Sequence, residues 1–266
     1  MVRSCAFRWL VPVALAGAAV VPGAAPAQSL YVIPTEASAA VVESQQPLRV
    51  VLHARDPERL AGILGVQGPA AGTDALPYVL DRYPAIQGLT DHTWLDATFV
   101  LDYRDEKVMQ LTAAFREGLG RKPAANEATR AALVGFVAAT VRGSQDQGFD
   151  IASEVATRRQ GDCTEYAVLT AALARSIGIP ARVVLGLALV AEPQRYGAYG
   201  HAWAEFRIGD TWVVADSALS GLKRPLWYLP FGVLENEGMG YTMDVARLTP
   251  VWVQRVDVLG PPEREH

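Results

Sequence analysis

The sequence predicts an α+β fold in which helices pack on an antiparallel sheet, with a small β-rich region ahead of them. Three observations carry this reading. Apolar residues recur at helical steps from residue 105 to residue 177. Strand-like runs follow at 181–190, 201–208 and 211–218, and Gly209-Asp210 between the last two is a hairpin signal. Half of the 266 residues are apolar and 20% are charged, which gives ample material for a core.

The first 27 residues read as an export signal. Arg3 and Arg8 form its charged start, Trp9 to Val21 its apolar stretch, and Ala25-Pro26-Ala27 a small-x-small cleavage site. Pro12, Gly17 and Pro22 interrupt a run already short for a membrane span, and no later stretch approaches 18 apolar residues. The expectation is a bacterial protein exported to the periplasm or secreted, with no integral membrane segment in the mature chain. Without the signal the chain carries 22 basic and 28 acidic residues, a net charge of −6. That balance gives no electrostatic footprint for nucleic acid.

Residues 28–104 form the expected β-rich N-terminal region. "LRVVLHA" (48–54) and "TWLDATFVLDY" (93–103) have strand composition, and the Gly/Pro-rich "GVQGPAAGTDALP" (65–77) between them reads as loop. His53 and His92 lie here without a second metal ligand at suitable spacing, so they read as surface or packed histidines. Residues 105–266 form the second expected domain, with its core at 105–220. Val108, Leu111, Phe115 and Leu119 mark a helix that Asp105 starts and Gly120 stops. Asn126 caps a second helix bearing Ala132, Leu133, Phe136, Val137 and Val141, and a short third helix lies near Ile151 to Arg158. Cys163 to Ile177 reads as the fourth, ended by Gly178 and Pro180. "AEPQRYGAYG" (191–200) reads as a loop.

The hairpin fixes a juxtaposition. A two-residue loop pairs Ile208 with Thr211, so Trp203 lies opposite Asp216, and His201, Trp203 and Glu205 share a face with Asp216. His201 is then a diagonal neighbour of Asp216, with Cα atoms about 7–8 Å apart, close enough for an imidazole–carboxylate hydrogen bond. Cysteine counting adds the third group. Cys5 leaves with the signal, and Cys163 then has no intramolecular partner, which makes it a reactive thiol or an intermolecular bridge. A helix N-terminus and a nearby imidazolium both favour a thiolate, so a lowered thiol pKa is expected. With one mature cysteine and few histidines, no Cys₄ or Cys₂His₂ zinc site can form, and no calcium-loop pattern is present; no metal or cofactor is expected.

"GDCTEYAVLTAALARSIGIPARVVLG", followed 38 residues after its cysteine by "HAWAEF" and 15 residues after that histidine by the aspartate of "WVVADSA", resembles the transglutaminase-like superfamily of thiol enzymes. The resemblance covers about residues 105–220. It implies a papain-like/transglutaminase core with the nucleophile at a helix N-terminus: Cys163 as nucleophile, His201 as general base and then acid, and Asp216 as the residue that orients His201. The activity implied is acyl transfer on a peptide or protein substrate, with water as acceptor in a cysteine protease or amidase and a lysine-type amine in a transglutaminase. A non-catalytic periplasmic peptide- or protein-binding module of the same fold is the other reading. Gln160 is the candidate second oxyanion donor, because no tryptophan lies between Trp94 and Cys163. Tyr196, Tyr199 and Trp203 are candidate substrate-binding residues around the cleft, and Glu205 reads as solvated or salt-bridged rather than as a ligand.

Overall fold

The computed structural model describes residues 31–37, 47–70, 72–80, 83, 86, 93–144, 148–191, 196–223, 226–248 and 253–260. The expected export signal and His92 lie outside them. Among the described residues the chain runs β1 (Tyr31–Ile33), β2 (Thr35–Ala37), β3 (Leu48–Ala54), α1 (Pro57–Leu64), β4 (Ala75–Leu80), α2 (Glu106–Leu119), α3 (Glu127–Thr140), β5 (Arg142–Gly143), α4 (Ala152–Arg158), β6 (Gln160–Gly161), α5 (Cys163–Ser176), β7 (Ala181–Ala191), β8 (Tyr196–Ile208), β9 (Thr211–Ala215), β10 (Leu226–Val233), α6 (Tyr241–Leu248) and β11 (Val253–Gly260). No helix in them is long and apolar enough to cross a membrane.

Local chemistry sets the helix limits. The Asp105 carboxylate accepts the N–H of Lys107 at 2.7 Å to start α2, and Gly120 closes it in the left-handed region at φ 63°. Asn126 caps α3 by accepting the N–H of Thr129 at 2.9 Å. The central helix α5 is buried along nearly its whole length, from Cys163 to Arg175. Its many alanines let α2, α3 and α4 approach one side while the sheet covers the other, and Val108, Phe115, Leu133, Val137, Val155, Leu169, Leu173, Leu185 and Phe206 share this core.

The main sheet places β8 beside β7 and β7 beside β10, all antiparallel. On the far edge of β8, β1 pairs residues 198–200 and β9 pairs residues 204–208. Ile208 pairs with Thr211 across Gly209-Asp210, and Ala204 with Ala215, as the hairpin reading requires. Beneath the other half of the same sheet face lies a second core, made by β3, β4, β11 and α1 with Leu187, Leu189, Tyr196, Trp227 and Leu229. β2, β11, β3 and β4 form a four-stranded sheet there. A strand from the N-terminal region thus completes the main sheet and the C-terminal β11 completes the N-terminal one, so the division expected at residue 104 does not separate the sheets.

Three expectations are corrected. Residues 93–103 form no strand: Trp94 turns at φ 56°, its carbonyl accepts the N–H of Ala181 at 3.0 Å, and the segment wraps the sheet. Residues 57–64, in a region expected to be β-rich, form α1, started by Asp56 and Pro57 and closed by Gly65 at φ 65°. Residues 196–200, expected as loop, are the first five residues of the 13-residue β8.

Candidate active site

The turn before α5 is built around Glu165. Parallel pairing of Arg142 with Gln160 and Gly143 with Gly161 holds the approach, and Arg159 turns it at φ 51°. Asp162 then caps α5: its carboxylate accepts the N–H of Thr164 at 2.8 Å, while its own N–H donates to Glu165 Oε2 at 2.8 Å, closing a capping box. A side chain at 161 would sit 2.3 Å from Glu165 Cβ, so only glycine permits this box. Cys163 follows as the first helical residue, fully buried and free of any disulfide.

His201 lies on β8, opposite Gly186 of β7. Its Nε2 meets Asp216 Oδ2 at 2.8 Å, and both residues are buried. Asp216 follows β9 directly, and its Oδ1 accepts the N–H groups of Ala218 at 2.9 Å and Leu219 at 3.1 Å. Between β1 and β9, residues 201–203 of β8 have no strand partner on that edge among the described residues. The Cys163 thiol engages the backbone N–H of Ala202 in this gap. The sheet thus leaves one N–H unpaired beside His201, and the N-terminus of α5 delivers the thiol to it.

The electrostatics depart from expectation at the thiol. Burial pushes it well above the usual range, and the charge of Asp162 adds to this; the Ala202 N–H opposes it, while Asp216 and Glu165 raise it further. Burial and the three acidic groups outweigh the Ala202 N–H, and this balance favours the protonated thiol. Asp216 behaves oppositely. Burial alone would raise it, but the charge and hydrogen bond of His201, with the bonds from Tyr228 and Leu219, bring it below the ordinary carboxylate value. An ionised Asp216 accepts, so His201 Nε2 donates and Nδ1 is the nitrogen left to exchange a proton.

Glu165 is raised to about 7 by burial first and by the charge of Asp162 second. A raised acid favours the folded state in its protonated form. Its contribution is complete below the unfolded value, about 4.3, and is lost as pH rises through about 7. Glu165→Gln keeps the capping acceptor and removes the charge. Urea titrations at pH 5 and pH 8 are expected to show a wild-type loss on the order of 2–3 kcal/mol that the variant lacks. Equal pH dependence in both proteins would exclude this account.

Trp203 is fully buried beside His201, with ring centroids 6.0 Å apart. Tyr199 is half-buried and shares the His201 face by strand parity. Tyr196 is corrected: it lies five positions before His201 on β8, an odd offset, so it faces the second core, where its fully buried ring packs on Trp227 at 5.5 Å. It does not rim a cleft with His201. Gln160 is half-buried in β6, three residues ahead of the thiol. Glu205 is fully buried and ion-paired with Arg182 at 2.6 Å, and Arg182 stacks 4.0 Å over Trp212.

Sequence reasoning missed two tyrosines. Tyr83 donates its hydroxyl to Glu205 and accepts the Trp203 indole N–H at 3.1 Å, which ties the N-terminal region to the His201 face. Tyr228 of β10 donates to Asp216 Oδ2 at 2.7 Å. Nothing local in "LWYLPFGV" marks that contact, because it depends on how β10 registers against β7.

Residues 113–217 match the family model of the Transglutaminase-like superfamily. This segment is similar to a transglutaminase-like core. It contains Cys163, His201 and Asp216 and excludes Tyr83 and Tyr228. Among solved structures the chain is similar to a candidate cysteine protease from Cytophaga hutchinsonii, at 19% identity and TM-score 0.43, covering 65% of this chain and 52% of that one. It is similar to a TGase at 18% identity and TM-score 0.32, covering 42% of this chain and 30% of that one. It is also similar to the ethylmercury-bound periplasmic domain of TgpA from Pseudomonas aeruginosa, at 21% identity and TM-score 0.32, covering 58% and 59%. The chain thus spans about half the length of the first of these structures. No curated protein matches it.

Proposed function

We propose that the transglutaminase-like core performs cysteine-dependent acyl transfer on peptide or protein amide bonds, with Cys163 as nucleophile, His201 as base and acid, and Asp216 orienting His201. The observation that carries this is the buried His201–Asp216 pair, set one residue from the Ala202 N–H that the Cys163 thiol engages.

The chemistry follows from the protonation states. Because the resting thiol is neutral, its proton passes to His201 as sulfur attacks the amide carbon, as for a serine nucleophile. The backbone N–H of Cys163 at the start of α5 and the Gln160 side chain are assigned as donors to the resulting oxyanion. His201, now an imidazolium stabilised by Asp216, gives its proton to the departing amine. The thioester on Cys163 is resolved by a second nucleophile that His201 deprotonates. Water is favoured over an amine because no tryptophan lies between Trp94 and Cys163 to act as an indole oxyanion donor. The same reading places the mature chain, starting at Gln28, outside the cytoplasm; N-terminal sequencing of exported protein checks the cleavage site.

The test compares wild type, Cys163→Ala and His201→Ala on a periplasmic protein extract, following new N-termini, isopeptide cross-links and deamidation by mass spectrometry. Wild type is expected to create new N-termini that both variants reduce by at least about 10⁴-fold. Isopeptide bonds in their place would assign amine transfer. Wild type and Cys163→Ala giving the same products would overturn the enzyme reading in favour of a binding module.

A further inference from the structure

We propose that Tyr228 is a positioning residue for the His201–Asp216 pair, acting through the hydroxyl it donates to the carboxylate; this rests on the acyl-transfer reading above. Asp216 has four donors around its two oxygens. Oδ1 takes the N–H groups of Ala218 and Leu219, and Oδ2 takes His201 Nε2 at 2.8 Å and Tyr228 Oη at 2.7 Å. The backbone donors fix one oxygen. Tyr228 supplies the second donor at the oxygen that holds His201, so it sets the plane of the carboxylate and the direction from which the imidazole must approach.

The sheet is built to let this hydroxyl arrive. Tyr228 lies on β10, separated from β8 by β7, so its side chain must lean across an intervening strand. Where it crosses, β7 presents Gly186, paired with His201, and Ala188, paired with Tyr228 itself. Larger residues at these positions would fill the path. Instead the Tyr228 ring lies 6.3 Å from His201 and 5.0 Å from Trp203, and the three rings pack together.

Tyr228 is also where the pair meets solvent. With Asp216 it lines a cleft of about 830 Å³ between α3 and the segment after β9, whose walls include Arg130, Val134, Val214 and Leu219. The hydroxyl thus occupies a lone pair of Asp216 that cleft water would otherwise solvate with no fixed direction. Burial and then the negative charge of Asp216 push the phenol well above its usual range, so it stays a donor through neutral pH. Besides His201 on β8, the charged or titratable groups acting on Asp216 and Tyr228 are Cys163 on α5, Arg130 on α3 and Tyr83.

Tyr228→Phe keeps the ring and removes the donor, so it separates positioning from packing. The expected result is a fold of unchanged thermal stability, a loss of about tenfold in kcat/KM and an acid limb of kcat/KM moved about one unit toward neutral pH. The limb moves that way because Asp216 loses a bond that favours its ionised form. Tyr228→Leu, which also removes the ring, is expected to lose activity and stability together. Rate and acid limb both as wild type in Tyr228→Phe, with Cys163→Ala and His201→Ala inactive, would overturn the inference and leave the acyl-transfer reading intact. A titration of ¹³C-carboxyl-labelled Asp216 by NMR in the Cys163→Ala background needs no turnover. It is expected to show a higher Asp216 pKa with Tyr228→Phe, and an unmoved titration there overturns the inference even if no substrate is ever cleaved.

Discussion

Asp216→Asn is expected to lower kcat/KM by about three to four orders of magnitude while the protein still folds. The reason is a reversed hydrogen bond. Ala218 and Leu219 both present N–H groups to one carboxylate oxygen, so an asparagine puts its carbonyl there and turns its amide toward His201 and Tyr228. Two donors then face each other at Nε2 unless His201 changes tautomer. The neutral ring must then carry its proton on Nδ1, so the nitrogen assigned to take the thiol proton has no free lone pair to accept it. Kinetics on a peptide substrate would show the loss in kcat with little change in KM. The variant should also alter acid stability. Asp216 has a folded pKa below its unfolded value, so it contributes stability above the unfolded value, about 3.9, and loses it as pH falls through the folded one. Asp216→Asn is expected to lack that part of the acid limb. Near-wild-type turnover in this variant would remove Asp216 from the mechanism.

The parts of this site legible in the sequence are those written in local chemistry. The helical reading of Cys163 to Ile177, ended by Gly178 and Pro180, announces α5, and Gly209-Asp210 fixes the hairpin register that puts His201 and Asp216 on one face. The α1 helix was written in the same terms, with Asp56, Pro57 and Gly65 at its ends, but only eight residues lie between the caps. Residues 93–103 mislead because their aromatic and β-branched content serves contacts with Trp212, Ala181 and Arg175 rather than a strand. Tyr196 was misplaced for a different reason. Gly197 and Gly200 look like loop residues, yet they lie within β8, and once the strand extends to 196 its parity turns the ring away from His201.

Burial is the property that sequence could not supply, and it reverses the expected state of the thiol. Asp162 and Glu165 are visible in the sequence beside Cys163, but their effect depends on how little water is left to screen them. The same two residues that start the helix also raise the thiol pKa. Capping and thiolate formation therefore oppose each other at this turn, and the proton must leave through His201 during attack rather than before it.

Gly186→Ala is expected to destabilise the protein by about 2–4 kcal/mol and to lower its melting temperature by roughly 5–15 °C. A Cβ at this position would meet the Leu229 carbonyl oxygen at 2.1 Å and Pro230 Cα at 2.9 Å, both backbone atoms of β10. No rotamer relieves such a contact, so β10 must move away from β7 beside the register shift already present between Pro230 and Gly232. The movement reaches the proposed chemistry in two directions, because Gly186 pairs with His201 on one side and β10 carries Tyr228 two residues before Pro230 on the other. Activity should therefore fall further than stability alone explains, at a temperature where the variant is still folded. Gly178→Ala is the control: its φ of 85° costs backbone strain, but nothing lies within 4 Å of its Cβ. It is expected to cost about 1 kcal/mol, with kcat/KM unchanged. If the two variants lose stability and activity equally, close approach of β10 at Gly186 is not what holds Tyr228 and His201 in register.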